Sequence, residues 1–193
     1  YGLAKNIIDG VSAIIKKHNA CIVLEDDLEL SKNCLKFINF GLNKFKNDSS
    51  IGSISGYSYV NNEKILKNEK WFKLYRHCSW SWGTWQRVWN KIDWDLKRIT
   101  EKNLSSNNVN KKYLLAGNDI PTLLLAQKYK IINSWAVRFN FNCLSNSLLS
   151  VSPRFSLTKN NGFGFGATHT LNIFKKKKIV FKNENFEKLN SFK

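Results

Sequence analysis

Apolar residues recur over positions 3–17 as Leu3, Ile7, Val11, Ile14 and Ile15, a spacing that puts them on one face of a helix. Lys16 and Lys17 fall where the helix dipole favours cations, and Asn19 suits the turn beyond. The pattern then changes to Cys21-Ile22-Val23-Leu24, a short unbroken apolar run that predicts a buried parallel strand. It stops abruptly in three acids, Glu25-Asp26-Asp27. Helix, turn and strand in this order form the second half of a βαβ unit whose first strand is missing. The chain also opens on Tyr1 and contains no Met, so the expectation is of a chain that begins partway into a domain.

Ser31 is a candidate cap for a helix that turns Leu35, Ile38, Leu42 and Phe45 inward. Residues 51–55 predict a short strand, with Gly56 permitting a bend after it. The polar stretch 61–70 predicts a loop, 71–75 another strand, 84–91 a helix and 105–112 a polar linker. Asn118 or Asp119 can cap a helix that runs through Gln127 and tolerates Pro121 in its first turn. Over 135–143 two patterns compete. Trp135, Val137, Phe139, Phe141 and Cys143 alternate as in a strand, whereas Trp135, Arg138, Phe139 and Asn142 share a helical face.

Composition narrows the class. The 193 residues, 42% hydrophobic, suffice for one domain with a sizeable core and argue against disorder. No apolar run approaches the roughly 20 residues needed to span a bilayer, and the N-terminus lacks the basic-then-apolar pattern of a signal peptide. Cys21, Cys34, Cys78 and Cys143 are widely spaced without a CxxC pair, so they read as reduced, mostly buried thiols in a cytosolic protein. The net charge of +17 invites a nucleic-acid reading. The excess is carried far more by Lys than Arg, is spread along the chain and accompanies abundant Asn and Ile, as in an AT-rich coding sequence. A protein that handles nucleotide diphosphates beside an anionic membrane is equally consistent, and nucleic acid is not the partner expected.

The acids carry the sharpest chemistry. Three like charges at the end of a buried strand are costly without a positive partner, and ligands of open α/β sheets bind at the carboxyl ends of the strands. A divalent cation bridging to a phosphate-bearing substrate resolves both points; an acidic turn capping the next helix is the plainer alternative. Six of the seven tryptophans fall between Trp71 and Trp94. Trp80-Ser81-Trp82-Gly83 is the part expected to line a sugar acceptor, with Gly83 allowing close backbone approach. Trp85, Trp89 and Trp94 read as core. The glycines of 160–170, Gly162 first among them, could close over a diphosphate with their N–H groups, or form a plain flexible loop.

Leu24-Glu25-Asp26-Asp27-Leu28 resembles the metal motif of GT-A glycosyltransferases, in the form found in N-acetylglucosaminyltransferase-I-like enzymes and in bacterial sugar transferases of surface-polysaccharide synthesis. The resemblance continues in order through Ser55-Gly56-Tyr57, Ser79-Trp80-Ser81-Trp82-Gly83-Thr84-Trp85, Ser134-Trp135-Ala136-Val137-Arg138, and Lys159-Asn160-Asn161-Gly162-Phe163 with Thr168-His169. It covers roughly residues 1–170 and leaves 171–193 as a basic tail. It implies an α/β, GT-A-like mixed sheet flanked by helices, with the N-terminal βα portion and most base and ribose contacts missing, and it favours helix over 135–143.

The same resemblance implies the chemistry. Asp27 would ligate Mn²⁺ or Mg²⁺, with His169 completing the metal shell, while Glu25 and Asp26 accept hydrogen bonds from ribose or metal-bound water. Thr168 and Gly162 would lie at the diphosphate, and Arg138 would pair with phosphate or with an internal acid. The implied reaction moves a sugar from a nucleotide-diphosphate donor to a glycan or lipid-linked acceptor, with inversion. One departure matters. Relatives carry an acid directly after the tryptophan that corresponds to Trp135, and Ala136 and Val137 follow it here. Asp119 is then the nearest candidate for the general base, ahead of Asp93 and Asp95, although a helix cap explains it equally well. The run 175–178 reads as a solvated tail, with peripheral attachment to an anionic membrane as the alternative. A carbohydrate-binding domain without catalysis also fits the absent base.

Overall fold

A computed structural model describes residues 2–59, 70–97, 99 and 111–162. Among them, strands β1 (Ala20–Val23), β5 (Trp82–Trp85), β3 (Ile51–Ser55), β6 (Leu149–Pro153) and β4 (Trp71–Leu74) form one mixed sheet in that spatial order. β3 and β6 are parallel, and the other neighbours are antiparallel. A second ribbon pairs β2 (Leu28–Leu30) with β7 (Thr158–Asn160). The fold is thus α/β, with a mixed sheet between helices.

The alternation of side chains along each strand assigns the two faces. Ile54 and Gly83 turn toward α2 (Cys34–Lys44): a β-carbon on Gly83 would sit 3.0 Å from Ile38 and Leu42, and one on Gly41 would press on Ile54. Trp82 and Ser53 turn the other way, toward α6 (Trp135–Ser145). There Trp82 stacks on Trp135 at 4.9 Å and meets Phe139 at 5.4 Å. Ser134 caps α6, its hydroxyl accepting from the N–H of Val137 at 3.3 Å. α1 (Leu3–Lys17) buries Ala4, Val11 and Ile15 in this core, and α3 (Gln86–Trp89) adds Val88 and Trp89. α4 (Lys111–Leu115) and α5 (Ile120–Lys128) build a smaller core with Val137, Phe141 and Leu144 of α6. No helix among the described residues is long and apolar enough to cross a membrane.

Several expectations change. β1 is not a buried parallel strand: its described neighbour is the antiparallel β5, and only Cys21 of its four residues is buried. Ser31 does not cap α2, which starts at Cys34 behind Asn33, and Leu35 is 45% exposed. The helix expected over 84–91 is four residues long, because Thr84 and Trp85 complete β5. The loop expected over 61–70 falls outside the described residues except for Lys70, as does most of the 105–112 linker.

Candidate functional site

β1 and β3 point the same way because each pairs antiparallel with β5. Val23 and Ser55 lie at one level, both opposite Trp82. The segments after these two strands therefore leave the sheet at the same end: Glu25, Asp26 and Asp27 after β1, and Gly56 to Tyr59 after β3. Residues 78–81 reach this end on their way into β5. β6 finishes here too, and β7 then returns to pair with β2.

The ribbon fixes Asp27. Its carbonyl accepts from the N–H of Asn161 at 2.9 Å, and Asn160 Nδ2 donates to its Oδ2 at 3.0 Å. Gly162 donates its N–H to Asn160 Oδ1 at 2.7 Å and lies where any β-carbon would collide with the Asp27 carboxylate. Lys159 pairs with Glu29 at 3.1 Å across the ribbon. After these contacts Asp27 Oδ1 is buried with no hydrogen-bond partner among the described residues. Burial, together with the charges of Asp27 and Asp26, pushes the Glu25 carboxyl up to about 7.

A buried carboxylate oxygen without a donor among the described residues, beside Asp26 and a Glu25 whose carboxyl is pushed up to about 7, makes a region short of positive charge. Hard cations with oxygen ligands meet that need. Among the described residues no three His, Cys, Asp or Glu side chains converge as a metal-binding group. Asp27, through its unpartnered Oδ1, is the residue of this cluster that could hold such a cation. Thr168 and His169 lie outside the described residues.

A second cluster stands beside the acids. The Tyr57 ring meets Trp80 edge-to-face at 4.7 Å and Tyr59 at 5.0 Å. The Arg76 guanidinium lies 5.3 Å from the Tyr59 ring centre, and burial pushes the Tyr59 hydroxyl well above its ordinary pKa. Burial pushes the Cys78 thiol up to about 11, and the charge of Glu25 adds to that rise. Gly56 and Ser81 hold the base of this arrangement together: the Gly56 N–H donates to the Ser81 carbonyl at 2.7 Å, and Ser81 takes a φ of 45°.

Other expected site residues stand elsewhere. Trp82 is 0% exposed and stacks within the core, so it does not line an acceptor; its neighbour Trp80 is the one that reaches the surface. Gly83 serves close packing against α2 rather than a ligand. Arg138 donates to the Ser134 carbonyl at 3.2 Å, the Trp94 carbonyl at 3.2 Å and Asn133 Oδ1 at 2.7 Å, so its hydrogen bonds among the described residues tie α6 to the 94 and 133 segments. Trp85 and Trp89 are core, as expected.

Asp119 precedes α5 without capping it. Its two oxygens instead accept from Arg76 Nη1 and Nη2 at 2.6 and 2.8 Å. The hydrogen bond from Arg76 holds its carboxyl below the usual range, which weakens it as a base. Gly117, at φ 134°, makes room for this ion pair. Sequence reasoning missed Tyr59, Arg76 and Cys78. Tyr57 and Tyr59 directly after a strand and Gly56 were a usable signal; nothing marked Arg76 or Cys78. The chain matches no protein-family model, and no curated protein is significantly similar to it.

Proposed function

We propose that the chain is the metal-dependent glycosyltransferase domain that its motifs resemble. It would move a sugar, with inversion, from a nucleotide-diphosphate donor to a hydroxyl of a glycan or lipid-linked acceptor. The observation that carries this reading is the Asp27 carboxylate: held by Asn160 at the carboxyl end of β1, it keeps a buried oxygen without a donor among the described residues. An antiparallel β5 between the parallel β1 and β3 supports a GT-A-like sheet.

The residues divide the work. Asp27 anchors the ion, oriented by Asn160 and enclosed by Gly162. A bound Mn²⁺ or Mg²⁺ supplies charge that stabilises the diphosphate as leaving group. Glu25 and Asp26 accept from ribose hydroxyls or ordered water.

Thermal shift with nucleoside diphosphates and nucleotide sugars, each with Mn²⁺ or EDTA, tests this on the chain and its Asp27→Ala variant. A shift that needs both metal and one nucleotide, and that vanishes in the variant, is expected. The same shift in Asp27→Ala would remove the metal site. A second reading, a carbohydrate-binding domain without catalysis, draws on the Arg76–Asp119 pair, which occupies the best candidate base. It expects glycan binding with no consumption of donor.

A further inference from the structure

Trp80 lies in the tryptophan-rich stretch expected to meet an acceptor, but the sequence pattern does not show the three features that surround it. Tyr57 stands at 75° to Trp80 and at 86° to Tyr59, so among the described residues the three rings make a corner of perpendicular faces. Tyr59 keeps 40% of its surface exposed while the Arg76 guanidinium lies 5.3 Å from its ring centre. Beside it Asp119 is anchored by Arg76 yet 41% exposed, leaving carboxylate lone pairs open toward solvent.

Rigid aromatic faces bounded by an anchored carboxylate suit one class of ligand. Pyranose rings offer apolar C–H faces to the electron-rich face of an aromatic ring, and equatorial hydroxyls at their edge to an acceptor. We infer that Tyr57, Tyr59 and Trp80 form the platform that binds the acceptor sugar, with Asp119 accepting its hydroxyls and Arg76 holding Asp119 in place. Asp119 is then a binding residue rather than the base. The corner lies at the end of the sheet where the Asp27 segment also leaves it, which would bring an acceptor to the same side as a donor phosphate. The inference rests on the proposed transferase reading for the word acceptor; saccharide binding itself does not depend on it.

Saturation-transfer NMR on the full chain, with methyl pyranosides of glucose, galactose, mannose and N-acetylglucosamine as probes, tests the platform directly. Saturation is expected on one C–H face of at least one glycoside. Tyr59→Leu and Trp80→Leu should each weaken binding at least about tenfold, as loss of a central aromatic does. Asp119→Asn should weaken it less, and Arg76→Lys should do the same by loosening Asp119. The metal-dependent nucleotide shift should survive in Tyr59→Leu. Tyr59→Phe, which keeps the ring and removes only the hydroxyl, should retain most of the binding and guards against misfolding in the larger replacements. No saturable glycoside binding, or binding unchanged in Tyr59→Leu and Trp80→Leu, overturns the inference. Glycoside binding at the corner without any nucleotide shift would sink the transferase reading and leave the platform standing.

Discussion

Two groups of aromatic side chains lie on either side of Ser81 and do opposite things. Inside, Trp82 stacks on Trp135 and Trp89 and meets His77 and Phe139, all buried between the sheet and α6. Outside, Tyr57, Tyr59 and Trp80 stand edge to face, partly exposed, next to Arg76 and the Asp119 it holds. Trp80 and Trp82 are two residues apart, and an ordinary strand would point them the same way. The positive φ of Ser81 breaks that rule at the point where the chain enters β5. Aromatic content alone therefore says little about role; position relative to the strand end decides it.

The largest effect should come from the inner group. Trp82→Ala removes a fully buried ring from the centre of the core, and a loss of about 3–5 kcal/mol in urea unfolding is expected. Trp80→Leu should cost about 1 kcal/mol or less, as a partly exposed position does. Equal losses would mean that the two groups are one core.

His77 distinguishes the groups by pH. Its Nδ1 lies 3.0 Å from Ser53 Oγ, Nε2 has no partner among the described residues, and the ring is enclosed by Trp82, Trp135 and Phe139. Burial, with a smaller contribution from the charge of Arg76, pulls its pKa down from 6.5 to about 3. Between those values the unfolded chain binds the extra proton and the native state does not. Stability from this residue is thus complete above about pH 6.5 and is lost as pH falls toward 3, by a few kcal/mol in all. A His77→Phe variant should flatten that part of the stability–pH curve. If the variant and the parent fall in parallel, the ring is not kept neutral in the fold.

Gly56→Ala comes next. The added methyl would meet Ser81 Oγ and Cys34 Sγ, so the two segments that carry the outer group must move apart. About 1–3 kcal/mol should be lost, together with most of the glycoside binding. Full binding in a destabilised variant would detach the outer group from this hinge.

Much of the scaffold was legible because its periodicity is local. α1 keeps the predicted bounds, β3 matches residue for residue, and α6 is the helix that its competing strand pattern obscured. β5 was hidden because WGTW is buried on both faces and has no alternation to read. α4 and β2 were missed for a different reason: each is short and owes its conformation to packing partners far along the chain. The acids were visible as three like charges after an apolar run. The Arg76–Asp119 pair was not, since it joins positions 43 residues apart with no pattern linking them. Asp119 looked like a cap or a base because its partner could be found only in three dimensions.

The smallest effect tests the hinge itself. Ser81 is fully buried at φ 45°, and among the described residues its hydroxyl receives only a 3.5 Å contact from the Cys34 thiol. A residue with a β-carbon is strained there by about 1–2 kcal/mol, whereas glycine is not. Ser81→Ala keeps the strain and loses the hydroxyl; Ser81→Gly loses both the hydroxyl and the strain, at some cost in unfolded-chain entropy. The glycine variant should therefore be the more stable of the two by about 0.5–1 kcal/mol. Both should leave the outer rings able to bind. If alanine proves the more stable, the backbone at 81 is not held in the left-handed region, and the reversal between Trp80 and Trp82 needs another cause.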